Sequence, residues 1–383
     1  MMSWNKPSLA VTPEPQPPSL LKWLGALMLL MLSVISLFNL TSIFQPDLFE
    51  SRHLLFAAIL VVGCGLLVLL VRYLTYSFKH NGWQAWEQER LNIENAWEKW
   101  SKRYVALFAS YVFIPGNITA NTIAKAEASI ETKNSLVKKI DFFPSEDGEK
   151  ITLLLKSIDI ALSQLPPNTT IHIKLLNDLL PNRRAAFMKA LAEIWQSQFP
   201  LYPITTLTEL SESYADKLQS IQQSKDESIN VILIMQQDDR ERYSDAMGVF
   251  ILASDDTAEK INLTKGARIL RPLFTSPQKL ETDLFTFFTT QAAAKAASGC
   301  YCAQQQGLRH SAVLMQQSHA ANGSLQINQI RDVERFAGLA GPAAPWLGLG
   351  LAADTSSITQ TACLMLAEHQ NGWLIHAVQS MES

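Results

Sequence analysis

Apolar positions along the chain fall into three successive patterns. The first is continuous: residues 23–44 hold 22 positions without a charge, and residues 54–71 hold 18 more. A hydrocarbon core of about 30 Å needs about 20 apolar residues at helical rise, so both runs can span a bilayer if Arg72 and Tyr73 reach back to the interface. The second is periodic: Trp83, Trp86, Ile93, Trp97, Trp100, Tyr104 and Leu107 recur at steps of three, four or seven, and only Arg90 interrupts the seam. Such a stripe predicts a long amphipathic juxtamembrane helix.

The third pattern, beyond Pro115, alternates between helix and strand. Helices are predicted over residues 151–165, closed by Pro166 and Pro167, and over 183–199, 211–224, 277–297 and 343–353; strands over 170–176, 229–236, 248–253, 361–368 and 373–379. The last two strands meet at Asn371-Gly372, a strong hairpin signal. The fold class that follows is α/β: two N-terminal transmembrane helices and then a layered, mixed-sheet α/β domain. The chain divides into a Pro-rich tail (1–20), a first span (21–44), an external loop (45–53), a second span (54–73), a Trp-rich helix (79–110) and the α/β domain (111–383). No repeat of 20 to 50 residues is visible.

Composition supports attachment to a membrane. Charged residues are 17% and apolar residues 48%, and a formal charge of −3 opposes a nucleic-acid partner. Lys6 and Lys22 precede the first span, Arg52 alone lies in the connector, and Arg72, Lys79, Arg90, Lys99, Lys102 and Arg103 follow the second. The positive-inside rule puts both ends in the cytoplasm, against inner-membrane lipid. A cleaved signal peptide is the rival reading of the first run, which is long for one and lacks a small-residue cleavage site. Cys300, Cys302 and Cys363, an odd set in the soluble part, fit a reducing compartment with no disulfide framework.

Candidate chemistry is sparse. Trp83, Trp86, Trp97 and Trp100 either fill the base of the soluble domain or form a partner-binding face; core is the favoured role of such rings. Asp238, Asp239, Glu241 and Asp245 sit in the charged turn after the 229–236 strand, where ligands of open α/β sheets collect, and offer carboxylates for a ligand or divalent ion. Their spacing is not that of an EF-hand loop, and a solvated turn is the plainer reading. Cys300-Tyr301-Cys302 with His310 and His319 has zinc-ligand residue types at an unsuitable spacing. Phosphate-loop, dinucleotide, nucleophile-elbow and zincin motifs are absent, so no metal, cofactor or catalytic residue is assigned. The glycines of RFAGLAGPAAPWLGLGLAA point to close helix packing.

Two resemblances follow. The order TIHIKLLND, NRRAAFMKALAEIW, VILIMQ, YSDAMGVFILAS and FAGLAGPAAPWLGLGLAA before a two-stranded end resembles the thiolase or ketoacyl-synthase fold, with Ser244-Asp245-Ala246-Met247 and residues 338–344 in the places of that family's strand-opening segment and Gly-rich turn. It implies an enzyme acting on an acyl or lipid substrate, although the family's cysteine and histidines have no counterparts here. The Trp-rich entry WQAWEQERLNIENAWEKWSKRYVALFASYVFIP and the order of spans then α/β body are similar to the membrane-linked lipase-adaptor family of type VI secretion. That resemblance implies an inner-membrane adaptor whose cytoplasmic body binds a lipase effector or a secretion-spike component.

Overall fold

The computed structural model describes residues 4, 9–44, 51–125, 136–224, 226–237, 242–339 and 341–381. They form two compact units, Lys6–Trp97 and the combination of Met1–Asn5 with Glu98–Ser383.

The first unit is built on two helices, α1 (Leu20–Phe44) and α2 (Ser51–Lys102). Both contain stretches long and apolar enough to cross a membrane. Gly65 lets them approach closely, because a Cβ there would strike the Leu27 side chain. The second span and the Trp-rich segment, expected as separate elements over 54–73 and 79–110, are one continuous helix that already begins inside the expected 45–53 loop.

That helix stops at Lys102, and Tyr104–Phe113 is a strand, β1, not the end of the Trp helix. The reason lies in the sequence: Val105, Ala106, Leu107 and Phe108 are apolar in succession and all buried, as a strand covered on both faces requires. Tyr104 and Leu107 fit the helical stripe only by spacing. Arg103 fixes the stop, donating from Nε and Nη2 to the Asp255 carboxylate at 2.8 and 2.5 Å.

In the second unit, β1 and α3 (Ala120–Ala124) lead to α4 (Asp147–Ser157) and α5 (Asp159–Ser163). Then follow β2 (Thr170–Asn177), α6 (Pro181–Gln198), β3 (Ile204–Glu209), α7 (Tyr214–Gln223), β4 (Ser228–Gln236) and β5 (Ala246–Ser254). After α8 (Asp255–Lys260) come β6 (Ala267–Leu270), β7 (Leu273–Thr275), α9 (Leu280–Thr290), α10 (Ala292–Ala296), β8 (Gly299–Cys302), α11 (Ser311–Ala320), β9 (Ile330–Asp332) and α12 (Val333–Ala337). The body ends with α13 (Ala344–Thr359), β10 (Cys363–His369) and β11 (Gly372–Ser380). The expected 151–165 and 277–297 helices are each broken in two.

Strand order is β3-β2-β4-β5-β1-β6-β11-β10-β8-β9, with β7 on β11. The order reads the same outward from the centre. Replacing β1, β5, β4, β2 and β3 by β6, β11, β10, β8 and β9 converts one half into the other, and the directions agree: two antiparallel steps, then two parallel ones. The halves join where β1 and β6, equivalent strands, pair antiparallel from Tyr104↔Leu270 to Leu107↔Ala267. A duplicated β-α-β-α-β-α-β-β unit therefore underlies a chain without visible sequence repeat.

Helices α7 and α13 are also equivalent, and one core contains both of them together with Ile232 and Phe250 of the first half and Met365 and Leu374 of the second. They form a central layer between the half-sheets. A separate core on the outer face of the first half holds Leu154, Leu191 and Trp195 from α4 and α6. Residues two apart on a helix point about 200° apart. Accordingly Gly348 faces Met365 and Ala303 of the second half, and Gly350 faces Val112 and Phe250 of the first. The G-L-G spacing lets one helix touch both sheets.

Candidate functional site

The turn after β4 is where the sequence places acidic ligands. Asp238, Asp239 and Glu241 lie outside the described residues. Asp245 serves the backbone: its Oδ2 accepts from the Ile140 N–H at 3.1 Å, while burial raises its pKa. Around it, Gln236 Nε2 donates to the Ser244 carbonyl at 2.8 Å, and the Ala343 N–H donates to Gln236 Oε1 at 3.1 Å. The Ser244 N–H reaches the Leu339 carbonyl at 2.7 Å. The strand-opening segment and the Gly-rich turn thus meet beside the start of α13. Gly338 has φ +78°, and a Cβ on Gly341 would fall 2.5 Å from the Tyr243 ring. No group of three or more His, Cys, Asp or Glu side chains among the described residues is arranged to hold a metal ion.

The central layer carries a more unusual cluster. Tyr214 opens α7 and meets Trp346 of α13 edge-on at 4.9 Å and His376 of β11 at 5.7 Å. His376 Nδ1 lies 3.1 Å from the Leu270 carbonyl; its Nε2 and the Tyr214 hydroxyl are buried without a hydrogen-bond partner. Burial keeps the imidazole neutral, lowering its pKa to about 4, and raises that of the Tyr214 phenol. The cysteines lie in strand interiors: Cys300 and Cys302 in β8 at 0% exposure and Cys363 in β10 at 2%. The neighbouring Cys302 thiol and burial push Cys300 well up, and burial takes Cys363 to about 12. These are unreactive thiols. His310 packs on Trp373 and His319 on its own turn near the Leu325 carbonyl, away from any zinc arrangement.

A cavity of about 250 Å³ sits at the β1 bulge between Leu107 and Ala109, lined by Ser110, Tyr111, Gly266, Asp354 and Ser357 among others. Burial raises the Asp354 carboxyl to about 7, so it holds a proton part of the time at neutral pH. Nothing in the sequence singles out Asp354, Tyr214 or His376; the only signal is a polar side chain inside an apolar run, as in LGLGLAAD and WLIHAV.

The Trp candidates separate. Trp83, Trp86 and Trp97 belong to the helical unit and Trp100 to the α/β unit, and none of the four is fully buried. Half-buried Trp100 packs within the α/β unit, against Trp4 and under the Arg271 guanidinium, as a ring at the base of that unit would. Trp83 Nε1 donates to the Thr12 carbonyl at 2.9 Å and Trp86 Nε1 to the Ala10 carbonyl at 3.2 Å. The two indoles hold the Pro-rich tail along α2.

No protein-family model matches the chain, and no curated protein matches it. Solved structures similar to it include a type II polyketide acyl-carrier protein in complex with its ketosynthase, at 9% identity, TM-score 0.49, over 73% of this chain and 99% of that one. Others are the 3-oxoacyl-[acyl-carrier-protein] synthases III of Aquifex aeolicus, at 11% identity, TM-score 0.41, 72% and 99% coverage, and of Pseudomonas aeruginosa, at 13%, 0.39, 73% and 98%. The expected mixed-sheet α/β class stands on the strand directions of the chain itself.

Proposed function

We propose that this chain is a bi-spanning protein of the bacterial inner membrane whose cytoplasmic α/β body binds another protein, acting as an adaptor for a lipase effector of type VI secretion. The observation that carries this reading is the state of the thiols: Cys300, Cys302 and Cys363 are all enclosed in strands, and the pKa values of Cys300 and Cys363 are raised, so none is placed to accept an acyl group. The secretion role rests on the sequence resemblance alone. Two features support the topology. Lys and Arg flank the spans on the tail and body sides, and the bonds from Trp83 and Trp86 to the tail are those expected of a tail and juxtamembrane helix that share one side of the bilayer.

Affinity capture of the detergent-extracted full chain tests the reading. One dominant, stoichiometric protein with lipase activity is expected; recovery of the chain alone overturns it. Reporters fused after Ser42 and Ser383 should read outside and cytoplasm, respectively. The proton-holding Asp354 beside a cavity favours a second reading, a thiolase-fold enzyme acting on an acyl or lipid substrate. Acyl-ester turnover by the purified chain that disappears in Asp354→Asn would select it.

A further inference from the structure

Between the β6–β7 connection and the last turns of α7 lies a cavity of about 260 Å³ lined by Trp100, Gln219, Gln222, Gln223, Arg271, Pro272 and Phe274. Arg271 is its one charged wall. Its Nε donates to the Trp100 carbonyl at 3.0 Å, and its guanidinium lies 4.3 Å from the Trp100 ring centroid. Trp4 supports that ring edge-on at 5.3 Å while its own indole N–H donates to the Pro272 carbonyl at 2.7 Å. Among the described residues no carboxylate bonds Arg271. Asp255 is taken by Arg103, which also bonds Asp256 at 2.9 Å. Burial and the Arg103 charge lower the Arg271 pKa to about 10, and the attraction of the Asp255 carboxylate, which Arg103 holds, offsets this only in part.

A half-buried guanidinium ordinarily has an acid partner, since desolvating a charge is costly unless it is paired. Here its place is taken by open space rimmed with three side-chain amides, of which Gln222 is 5% exposed. We propose that this cavity binds a small organic carboxylate. The guanidinium fork matches the two carboxylate oxygens, the glutamine amides supply further donors, and Trp100, Pro272 and Phe274 contact an apolar body. Among the described residues Arg271 is the one charged side chain that lines the cavity, which suits a monoanion; a phosphate dianion would call for a second free cation, and Arg103 is committed. The site is independent of the protein-binding reading and stands if that reading fails.

Phenylacetate titrated against the full chain in detergent, followed by saturation-transfer NMR, tests the proposal. Saturable binding is expected, weakened about tenfold or more in Arg271→Gln, because the charge-assisted pair is lost. Gln219→Glu, which keeps Arg271 and places a carboxylate in the cavity, should abolish binding while circular dichroism stays unchanged; this variant covers the case in which Arg271→Gln does not fold. Phenylethanol, lacking the charge, and inorganic phosphate should both compete poorly. Absence of saturable phenylacetate binding to the wild type, undiminished binding in Gln219→Glu, or equal competition by phenylethanol or by phosphate would each overturn the carboxylate site.

Discussion

Asp354 and His376 pull the stability of the body in opposite directions as pH changes. The Asp354 pKa is raised to about 7 in the fold, above the ordinary carboxyl value of 3.8, so between these values the folded state holds the extra proton and stability falls as pH rises. The His376 pKa is lowered to about 4 from 6.5, so there the unfolded state holds the extra proton and stability falls as pH drops. The windows overlap from about pH 4 to about 6.5 and the two slopes offset each other. Asp354→Asn should unmask the histidine, giving a chain that melts a few degrees higher at about pH 8 and loses stability more steeply on acidification, measurable by thermal melts across pH. The thiols make a contrasting case. With Cys300, Cys302 and Cys363 all changed to Ala, partner capture should persist wherever the protein folds; loss of capture by a folded triple variant would return a thiol to the function.

Among elements, α13 and the Trp segment show what the sequence makes legible and what it hides. The glycines of LGLGLAA were readable as close-packing positions, and the two faces they serve follow from helical geometry. Gly348 meets the flexible Met365 Cγ at 3.3 Å, whereas Gly350 meets the stiff, β-branched Val112. Gly350→Ala should therefore cost more than Gly348→Ala, with Gly350→Val at about 1 to 3 kcal/mol from overpacking, read from denaturant midpoints. The apolar runs of β2, β4, β5, β10 and β11 declared themselves. Strand β1 did not, because Tyr104 and Leu107 continue a helical spacing by chance. Strands β6 to β9 have three or four residues each, too few to show a period of two. Arg271 follows short β6 and was invisible, since only the fold reveals that its guanidinium is half-buried with no carboxylate bonded to it among the described residues. For the tail, Trp83→Phe with Trp86→Phe keeps the rings and removes both indole donors; proteolytic cleavage within residues 9–14 should quicken while the melting of the α/β unit stays unchanged.

At the scale of the whole molecule, the duplication was illegible for a physical reason: a fold repeats when the burial pattern repeats, and apolar residues of many kinds satisfy one pattern. TIHIKLLN and GCYC occupy equivalent strands with no identity between them. The antiparallel β1–β6 seam gives this duplication a practical meaning. It covers the edge that each half would otherwise present to solvent, and each central helix needs the opposite half-sheet for its second apolar face. Neither half is a domain in its own right, yet together they are complementary parts with a natural parting line in the connection between α8 and β6. Residues 98–262 and 263–383 expressed apart should aggregate, and expressed in one cell should reassemble into a soluble body, making the seam a place where the protein can be divided and rejoined.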